Sequence, residues 1–178
     1  MKHISFIRGI NVGKAKRVAM VELRALAGEL GYTSIRTLRN SGNLIFDTTR
    51  AKGRTASKKI EKELYARLNV AARVITLTEE ELDKIIGENP LAEVATEPSR
   101  FLIAILEDSK DHALLQPLLE QDWMPEIIAL GERGVYLWCP GGVLASPLVK
   151  AVSGILGENM TTRNWATMLK IAQMIREK

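Results

Sequence analysis

The order of strand and helix patterns along the first ninety residues restricts the fold more than any other feature of this sequence. Two strands joined by a hairpin follow the first helix, and a second helix and a fourth strand follow the hairpin. The predicted strands are residues 4–7, 33–38, 44–46 and 70–77, and the predicted helices contain Met20 to Leu30 and Ile60 to Leu68. Gly31 is a natural stop for the first helix. This β-α-β-β-α-β order is the split βαβ pattern of ferredoxin-like folds.

The second half of the chain repeats this order without a visible sequence repeat. The predicted strands are residues 101–106, 126–130, 135–138 and 160–163, and the predicted helices are 111–119, 146–156 and one that starts near Trp165. A capping box from Thr78 to Glu81 opens a connecting helix over residues 78–88, and a proline-containing stretch at 89–99 marks the boundary. We therefore expect an α+β chain with antiparallel or mixed sheets. Its two ferredoxin-like lobes, residues 1–90 and 96–178, would pack into one compact unit.

Length and composition exclude several classes of protein. The 178 residues are 46% apolar and 26% charged, which is ordinary for a globular chain and excludes general disorder. No apolar run is long enough to cross a bilayer, and the N-terminus enters a strand pattern directly, so we expect a cytoplasmic protein without membrane contact. A single cysteine, Cys139, excludes an internal disulfide. Together with only two histidines it gives no usual zinc site, and we predict no metal and no cofactor.

Charge is distributed unevenly between the two halves. Residues 1–76 contain 16 Lys and Arg against 5 Asp and Glu, whereas residues 77–178 contain 9 against 16. A basic segment of this kind suggests an anionic partner. Attraction between the two halves, or charges on solvated helix faces, would explain the same numbers.

The predicted topology brings two polar segments to one end of the first sheet. The second strand runs parallel to the first, so the loop at residues 8–14 and the hairpin turn at 39–43 share that end. Cations, amides and a hydroxyl are concentrated there, and glycines allow backbone N–H groups to turn outward and bind an anion. The candidate ligand-binding residues are Arg8, Gly9, Asn11, Gly13, Lys14, Arg39, Asn40, Ser41, Gly42 and Asn43.

A structural interpretation of the same residues is available. Glycine and asparagine are the usual residues of tight turns, in which asparagine side chains bond to nearby backbone. The glycine spacing is that of neither a P-loop nor a dinucleotide-binding loop. The sequence therefore leaves turn formation open beside anion binding.

Three further candidate ligand-binding residues lie in the second half, and they are Ser146, Arg163 and Asn164. Ser146 caps a helix at the end of a glycine-containing loop, and a helix N-terminus attracts anions. Arg163 has no evident structural task and could bind a phosphate or carboxylate, and the adjacent Asn164, or Thr162, could cap the last helix. Cys139 is interpreted as a buried strand-end residue, because no histidine can be placed beside it to activate the thiol.

Four stretches of the sequence, in order, carry a family resemblance. They are Arg8 to Gly13, Asn40 to Asn43, Leu137 to Gly142 with Ser146, and Thr162 to Trp165. The chain resembles the domain-of-unknown-function 1697 family. That resemblance implies an α+β fold with ferredoxin-like elements and supplies no catalytic residues. Asn40 departs from the family, which commonly has glutamine before the Ser-Gly-Asn sequence, although both side chains are amides.

These features favour a binding module for an anionic ligand, either a nucleotide-like or a phosphorylated small molecule. Nucleic acid is the less favoured ligand, because aromatic residues are only 5% and the strands lack paired exposed aromatics. One alternative is a small enzyme acting on a phosphorylated or carboxylated substrate, with Arg8, Arg39 and Arg163 binding its charge. No general base can be named for it. A regulatory or scaffold protein is the remaining alternative.

Overall fold

The structure is a computed structural model that describes residues 1–49 and 52–177. These residues form two compact units. Unit 1 comprises Met1–Glu80 together with Glu177, and unit 2 comprises Glu81–Arg176. Each unit contains one four-stranded sheet in which all neighbouring strands are antiparallel.

Unit 1 has the predicted β-α-β-β-α-β order. Its elements are β1 (Lys2–Ile7), α1 (Met20–Glu29), β2 (Thr33–Leu38), β3 (Asn43–Asp47), α2 (Gly53–Leu68) and β4 (Val74–Thr78). The strand order β2-β3-β1-β4 places β3 between the parallel strands β1 and β2. The loop after β1 and the turn between β2 and β3 therefore lie at the same end of the sheet, as the sequence predicts.

The core of unit 1 lies between the sheet and its two helices. Helix α2 contributes Ala56, Ile60 and Leu64, which are spaced four residues apart and face the sheet. Helix α1 contributes Leu23, Leu26 and Ala27 to the same core. The regular spacing of these apolar residues is the reason that both helices were recognisable in the sequence.

The last strand of unit 1 begins later than predicted. Residues 70–77 are strand-like in sequence, but β4 begins at Val74 because α2 ends with a turn that uses the preceding residues. Asn69 adopts the left-handed conformation, with φ 53°, and the Val70 N–H donates to the Leu64 carbonyl oxygen at 3.2 Å. Val70 is buried in the core, which is the usual hydrophobic contact of such a helix end.

Helix α3 (Glu79–Gly87) connects the two sheets in sequence. The sequence assigned the connecting helix, residues 78–88, to the first lobe, whereas the boundary between the units falls after Glu80. The physical reason is that its apolar face packs on unit 2. The Tyr136 hydroxyl donates to the Ile85 carbonyl oxygen at 2.7 Å, and Gly134 leaves space for the Ile85 side chain.

Unit 2 repeats the strand order with a different set of helices. Its strands are β5 (Phe101–Leu106), β6 (Ile127–Leu130), β7 (Gly134–Trp138) and β8 (Met160–Asn164), in the order β6-β7-β5-β8. Its remaining helices are α4 (Gln116–Leu119), α5 (Pro147–Leu156) and α6 (Trp165–Arg176). One face of the sheet packs on α4 and α5 through Leu118, Leu148 and Val152. On the other face, the Phe101 ring packs against the Trp165 ring, with 5.0 Å between the two ring centroids.

The predicted helix over residues 111–119 is wrong in detail. Residues Ser109–Leu115 form a 3-10 helix, and only Gln116–Leu119 is α-helical. Pro117 lies at the start of α4. Proline has no N–H and clashes with the preceding turn, so an α-helix cannot run through this position.

Across the parts of the chain that the structure describes, no helix combines the length and the apolar character needed to cross a bilayer.

Candidate functional site

The loop that follows β1 and the hairpin turn between β2 and β3 are joined by hydrogen bonds. The Ile7 N–H donates to the Gly42 carbonyl oxygen at 2.8 Å, and the Asn11 side-chain amide donates to the Asn40 carbonyl oxygen at 2.7 Å. These bonds connect residues that are about thirty positions apart in sequence. We call the surface formed by residues 8–17 and 39–42 the loop surface.

Asn11 holds the loop surface together. Its amide nitrogen donates to the Val18 and Asn40 carbonyl oxygens at 2.8 and 2.7 Å, and its Oδ1 accepts from the Val18 N–H at 2.8 Å. Its backbone has φ 55°, in the left-handed region that asparagine tolerates. Both amide hydrogens are therefore used within unit 1. Asn11, a predicted ligand, positions the loop, and the turn-forming interpretation describes its side chain better.

Asn43 and Gly42 have similar structural tasks in the hairpin. The Asn43 side chain is fully buried, and its amide donates to the Leu38 carbonyl oxygen and to the Ser41 Oγ, each at 3.0 Å. Gly42 has φ 83°, and a Cβ at this position would lie 2.9 Å from the Ile7 and Ile10 side chains. Only glycine fits there. Ser41, Gly42 and Asn43 thus shape the turn that presents Arg39 and Asn40.

The backbone of the loop has an alternating conformation. Gly9, Asn11 and Gly13 have φ values of 69°, 55° and 66°, and Ile10 and Val12 between them have negative φ. Alternating signs of φ are typical of backbone concavities that bind anions, although here the Asn11 N–H is used within the loop and donates to the Lys16 carbonyl oxygen at 3.0 Å. Within residues 1–49 and 52–177, the N–H groups of residues 12–14 donate to no protein acceptor. An added Cβ at Gly9 or Gly13 would meet no atom within 4 Å, so the space beside the loop is open.

Several cations flank this backbone. Arg8 is half-buried, and Lys14 and Arg39 are exposed. Lys16 and Arg17 are also exposed on the same loop, although the sequence analysis ended its candidate loop at Lys14. None of these five side chains forms an ion pair with any residue that the structure describes. The sequence did offer a signal that the loop is longer than predicted. The first helix begins only at Met20, so the residues between Lys14 and Met20 had to belong to the loop.

The candidates around α5, in unit 2, serve the protein itself. The Ser146 Oγ accepts from the Val149 N–H at 3.0 Å and caps α5, as its sequence position indicates. Glu126 Oε1 accepts from the Leu148 N–H at 3.2 Å. The anion at this helix N-terminus is therefore a carboxylate of the same unit. Sequence analysis missed it because Glu126 lies 22 residues before Leu148.

Cys139 is buried, as expected from the sequence, and it lies beside Ser146. Its thiol donates to the Ser146 Oγ at 3.5 Å, and burial raises the pKa of the thiol to about 11. A thiol with so high a pKa is almost entirely protonated at neutral pH and is a poor nucleophile. Cys139 therefore has the properties of a core residue.

Arg163 and Asn164 lie on β8 and at the start of α6. The Asn164 Oδ1 accepts from the Thr167 N–H at 2.9 Å, so Asn164 and not Thr162 caps α6. The Arg163 guanidinium donates to the Thr161 Oγ1 at 3.0 Å and to the Thr162 carbonyl oxygen at 2.8 Å. Burial lowers the pKa of Arg163 to about 10. Both residues thus bond within unit 2, where the sequence analysis had proposed ligand contacts.

Residues 1–49 and 52–177 contain no cluster of three or more histidine, cysteine or acidic side chains that could hold a metal ion. His3 and His112 are each on a different element, and neither lies on the loop surface. What the loop surface offers chemically is N–H groups and cations, which suit the binding of an anion.

Comparison with known proteins places this geometry in a family. Residues 1–136 match the family described as "Protein of unknown function (DUF1697)", and no curated protein matches the chain. The fold is similar to that of the conserved bacterial protein SP0830 from Streptococcus pneumoniae, with a TM-score of 0.81, 22% sequence identity and 98% of each chain covered. The family match includes the loop surface, and the fold of SP0830 extends over both units. The chain belongs to the DUF1697 family.

Proposed function

We propose that this protein binds an anionic small molecule at the loop surface. The observation that carries the proposal is the alternating backbone of residues 9–13, because the N–H groups of residues 12–14 have no protein acceptor in the described chain and the flanking cations have no ion-pair partner there. Such N–H groups cannot move away from one another as exposed side chains can. They favour a ligand with a compact negative charge, such as a phosphate group.

The cations add a second contribution to the same site. Arg8 and Arg39 can each bind a phosphate or carboxylate through two parallel N–H···O bonds, whereas Lys14 contributes a single ammonium charge. Asn11 holds the two segments that carry these cations together, so little ordering is needed when a ligand binds. A ligand site that is already formed loses less entropy on binding. These contacts support a phosphorylated or nucleotide-like ligand.

Thermal unfolding in the presence of inorganic phosphate, pyrophosphate and nucleotides tests the proposal. A ligand at 100 times its dissociation constant stabilises the folded state by about 2.7 kcal/mol, which raises the melting temperature of a chain of this size by about 5–10 °C. The Arg8→Ala, Arg39→Ala double variant should lose this increase. Gly13→Ala, which disturbs the backbone at φ 66° without a steric clash, should reduce it.

The matched control is the Lys110→Ala, Lys150→Ala double variant. It removes the same charge from exposed positions of unit 2, so it should keep the full increase. This control is needed because phosphate and sulfate stabilise many proteins by exclusion from their surfaces. An increase that persists in the Arg8, Arg39 variant, or no increase in the unmodified protein, would refute anion binding at the loop surface.

A further inference from the structure

The exposed face of α2 has an unusual concentration of positive charge. Arg54, Lys58 and Lys62 recur at every fourth residue and therefore follow one stripe along the helix. Lys59 lies beside this stripe, and together with Thr55 these side chains line one shallow groove. We call this the α2 stripe.

The acidic residues of α2 do not neutralise the stripe. Glu61 Oε1 accepts from the Val74 N–H at 2.8 Å and pairs with Arg73, and Glu63 forms an ion pair with Arg67. The first turn of the helix contains no acidic residue. Within the described residues, the four cations of the α2 stripe form no ion pair.

This arrangement opposes the local rules of helix stability. The N-terminal end of a helix carries partial positive charge, and like charges four residues apart repel each other. Arg54 and Lys58 combine both unfavourable effects. A segment whose residues destabilise their own helix, with no stabilising contact elsewhere in the protein, is expected to serve a function. Here the stabilising contact that is missing is one with negative charge.

An exposed aromatic ring lies on the same stripe. Tyr65 is 62% exposed and follows Lys62 by three residues, so its ring is one helical turn from that cation. Surfaces that bind single-stranded nucleic acid combine two components. Cations contact the phosphates, and exposed aromatic rings stack on the bases. A membrane-binding helix would need a broad apolar face, and the α2 stripe has only this ring.

The α2 stripe and the loop surface lie on different elements of unit 1. Strand β3, which leads to α2, runs antiparallel to β1, and Gly53 at the start of α2 lies against Thr76 of β4. Thr76 pairs with Ser5 in the middle of β1, whereas the loop surface follows the end of β1 at Ile7. The start of α2 thus lies beside the middle of the sheet, whereas the loop surface lies at the end of the sheet, beyond Ile7.

We propose that the α2 stripe binds a single strand of nucleic acid. Arg54, Lys58 and Lys62 contact phosphates of neighbouring nucleotides, and Tyr65 stacks on a base. Recognition by charge and stacking does not select a base sequence, so the proposed partner is a single strand of DNA or RNA of any sequence.

Fluorescence anisotropy with labelled 20-nucleotide oligo(dT) and oligo(rU), measured over a series of salt concentrations, tests this proposal. Lys58→Ala with Lys62→Ala should weaken binding and lower the slope of log K against log salt by about 1.4, because each phosphate contact contributes about 0.7 for a single strand. Tyr65→Ala should weaken binding about fivefold or more and leave the slope unchanged. Tyr65→Phe keeps the ring and should retain the affinity, whereas Tyr65→Leu should not.

Lys110→Ala with Lys150→Ala, at exposed positions of unit 2, is the control with the same loss of charge, and it should bind the oligonucleotides like the unmodified protein. Because the substituted residues are exposed, circular dichroism should report unchanged folding for every variant. Absence of oligonucleotide binding at 50 mM salt would overturn the proposal. An equal loss of affinity in the Lys110, Lys150 control would also overturn it, as would binding to phosphatidylserine vesicles without binding to oligonucleotides. Duplex DNA bound as tightly as single strands, with no effect of Tyr65→Ala, would overturn the stacking contact.

Discussion

The two units have the same strand order, but they differ in the ion pairing of the charged residues at the equivalent end of their sheets. In unit 1 the Ile7 N–H donates to the Gly42 carbonyl oxygen, and in unit 2 the Leu106 N–H donates to the Arg133 carbonyl oxygen at 2.9 Å. These bonds join the end of the first strand to the following hairpin in each unit. The shared topology creates this junction twice, and only the residues placed on it differ.

The charged side chains of the hairpin in unit 2 form ion pairs with residues of the same unit. Arg133 donates to the Leu106 carbonyl oxygen at 3.0 Å and forms an ion pair with Glu81, and the adjacent Glu132 pairs with Lys84. The corresponding cations of unit 1, including Arg39, form no ion pair within the described chain. The topology therefore provides the same junction in both units, whereas the charges beside it are paired in unit 2 and have no ion-pair partner among the described residues of unit 1.

The largest expected effect comes from the residue that closes the hairpin in unit 1. Gly42→Ala should reduce the free energy of unfolding by about 2–5 kcal/mol, because a left-handed backbone and a steric clash with Ile7 and Ile10 add together. Urea unfolding followed by circular dichroism measures the loss. Gly13→Ala, which has a similar φ but no clash, should cost about 1–2 kcal/mol. Equal losses in both variants would show that the close contact at Gly42 is unimportant.

The second prediction concerns alkaline pH and unit 2. Burial raises the pKa of Cys139 from 9.0 to about 11, so the folded state retains a proton that the unfolded state has lost. The stabilisation is present below pH 9 and is lost between about pH 9 and 11, by a total of about 2–3 kcal/mol. Cys139→Ser should flatten this decline while costing about 1 kcal/mol at neutral pH.

Tryptophan fluorescence is the appropriate measurement for this loss, because Trp123, Trp138 and Trp165 all belong to unit 2. Burial also raises the pKa of Tyr136 from 10.0 to about 12, so a decline of similar size should remain in the Cys139→Ser variant between about pH 10 and 12. Rapid reaction of the native protein with a thiol reagent at pH 7 would contradict the assignment of Cys139 to the core.

The third prediction concerns the hydrogen bonds by which Asn11 joins the two segments of the loop surface. Asn11→Gly keeps the left-handed backbone and removes three side-chain hydrogen bonds, so it should cost about 2 kcal/mol. Hydrogen exchange should also become faster in residues 8–18. The control is Asn40→Ala, which keeps the main-chain carbonyl that accepts from Asn11 and should change stability by less than about 0.5 kcal/mol.

The smallest expected effect compares the two arginines of the hairpins directly. Arg133→Ala should cost about 1–2 kcal/mol, because it removes an ion pair and a bond to the Leu106 carbonyl, and the Arg133 side chain is only 17% exposed. Arg39→Ala should cost less than about 0.5 kcal/mol. Urea unfolding at low and at 1 M salt measures both, and salt should reduce the cost of Arg133→Ala. Similar costs for the two arginines would remove the proposed distinction between the hairpins.

Most of the elements could be predicted from the sequence because apolar spacing is a local property. Helix α2 and the hairpin strands of unit 1 were recognisable in this way. The 3-10 helix at Ser109–Leu115 was not predicted, because its apolar residues keep helical spacing while Pro117 prevents a continuous α-helix. The assignment of α3 to unit 2 also escaped prediction, since the packing of Ile85 near Gly134 joins residues far apart in sequence.

The candidate site was predictable in position but not in the roles of its residues. Convergence of the loop with the hairpin followed from strand order, and the glycines were expected to adopt positive φ. The sequence analysis counted Asn11, Ser146 and Asn164 among the ligand-binding residues, although the structure uses their side chains for bonds to backbone N–H and carbonyl groups. The sequence cannot distinguish an amide or hydroxyl that binds a ligand from one that forms a hydrogen bond with the backbone of a turn or helix end.

The sequence by itself determined the β-α-β-β-α-β order, the basic character of the first half and the meeting of loop and hairpin, because periodicity, charge and chain direction need no knowledge of distant contacts. The tertiary structure decided which charges are neutralised. Glu81 reaches Arg133 across 52 positions and Glu126 reaches Leu148 across 22, whereas the cations of the loop surface and of the α2 stripe have no such partner in the described chain. The physical reason is that charge pairing depends on separations of a few ångströms, which only the folded chain establishes.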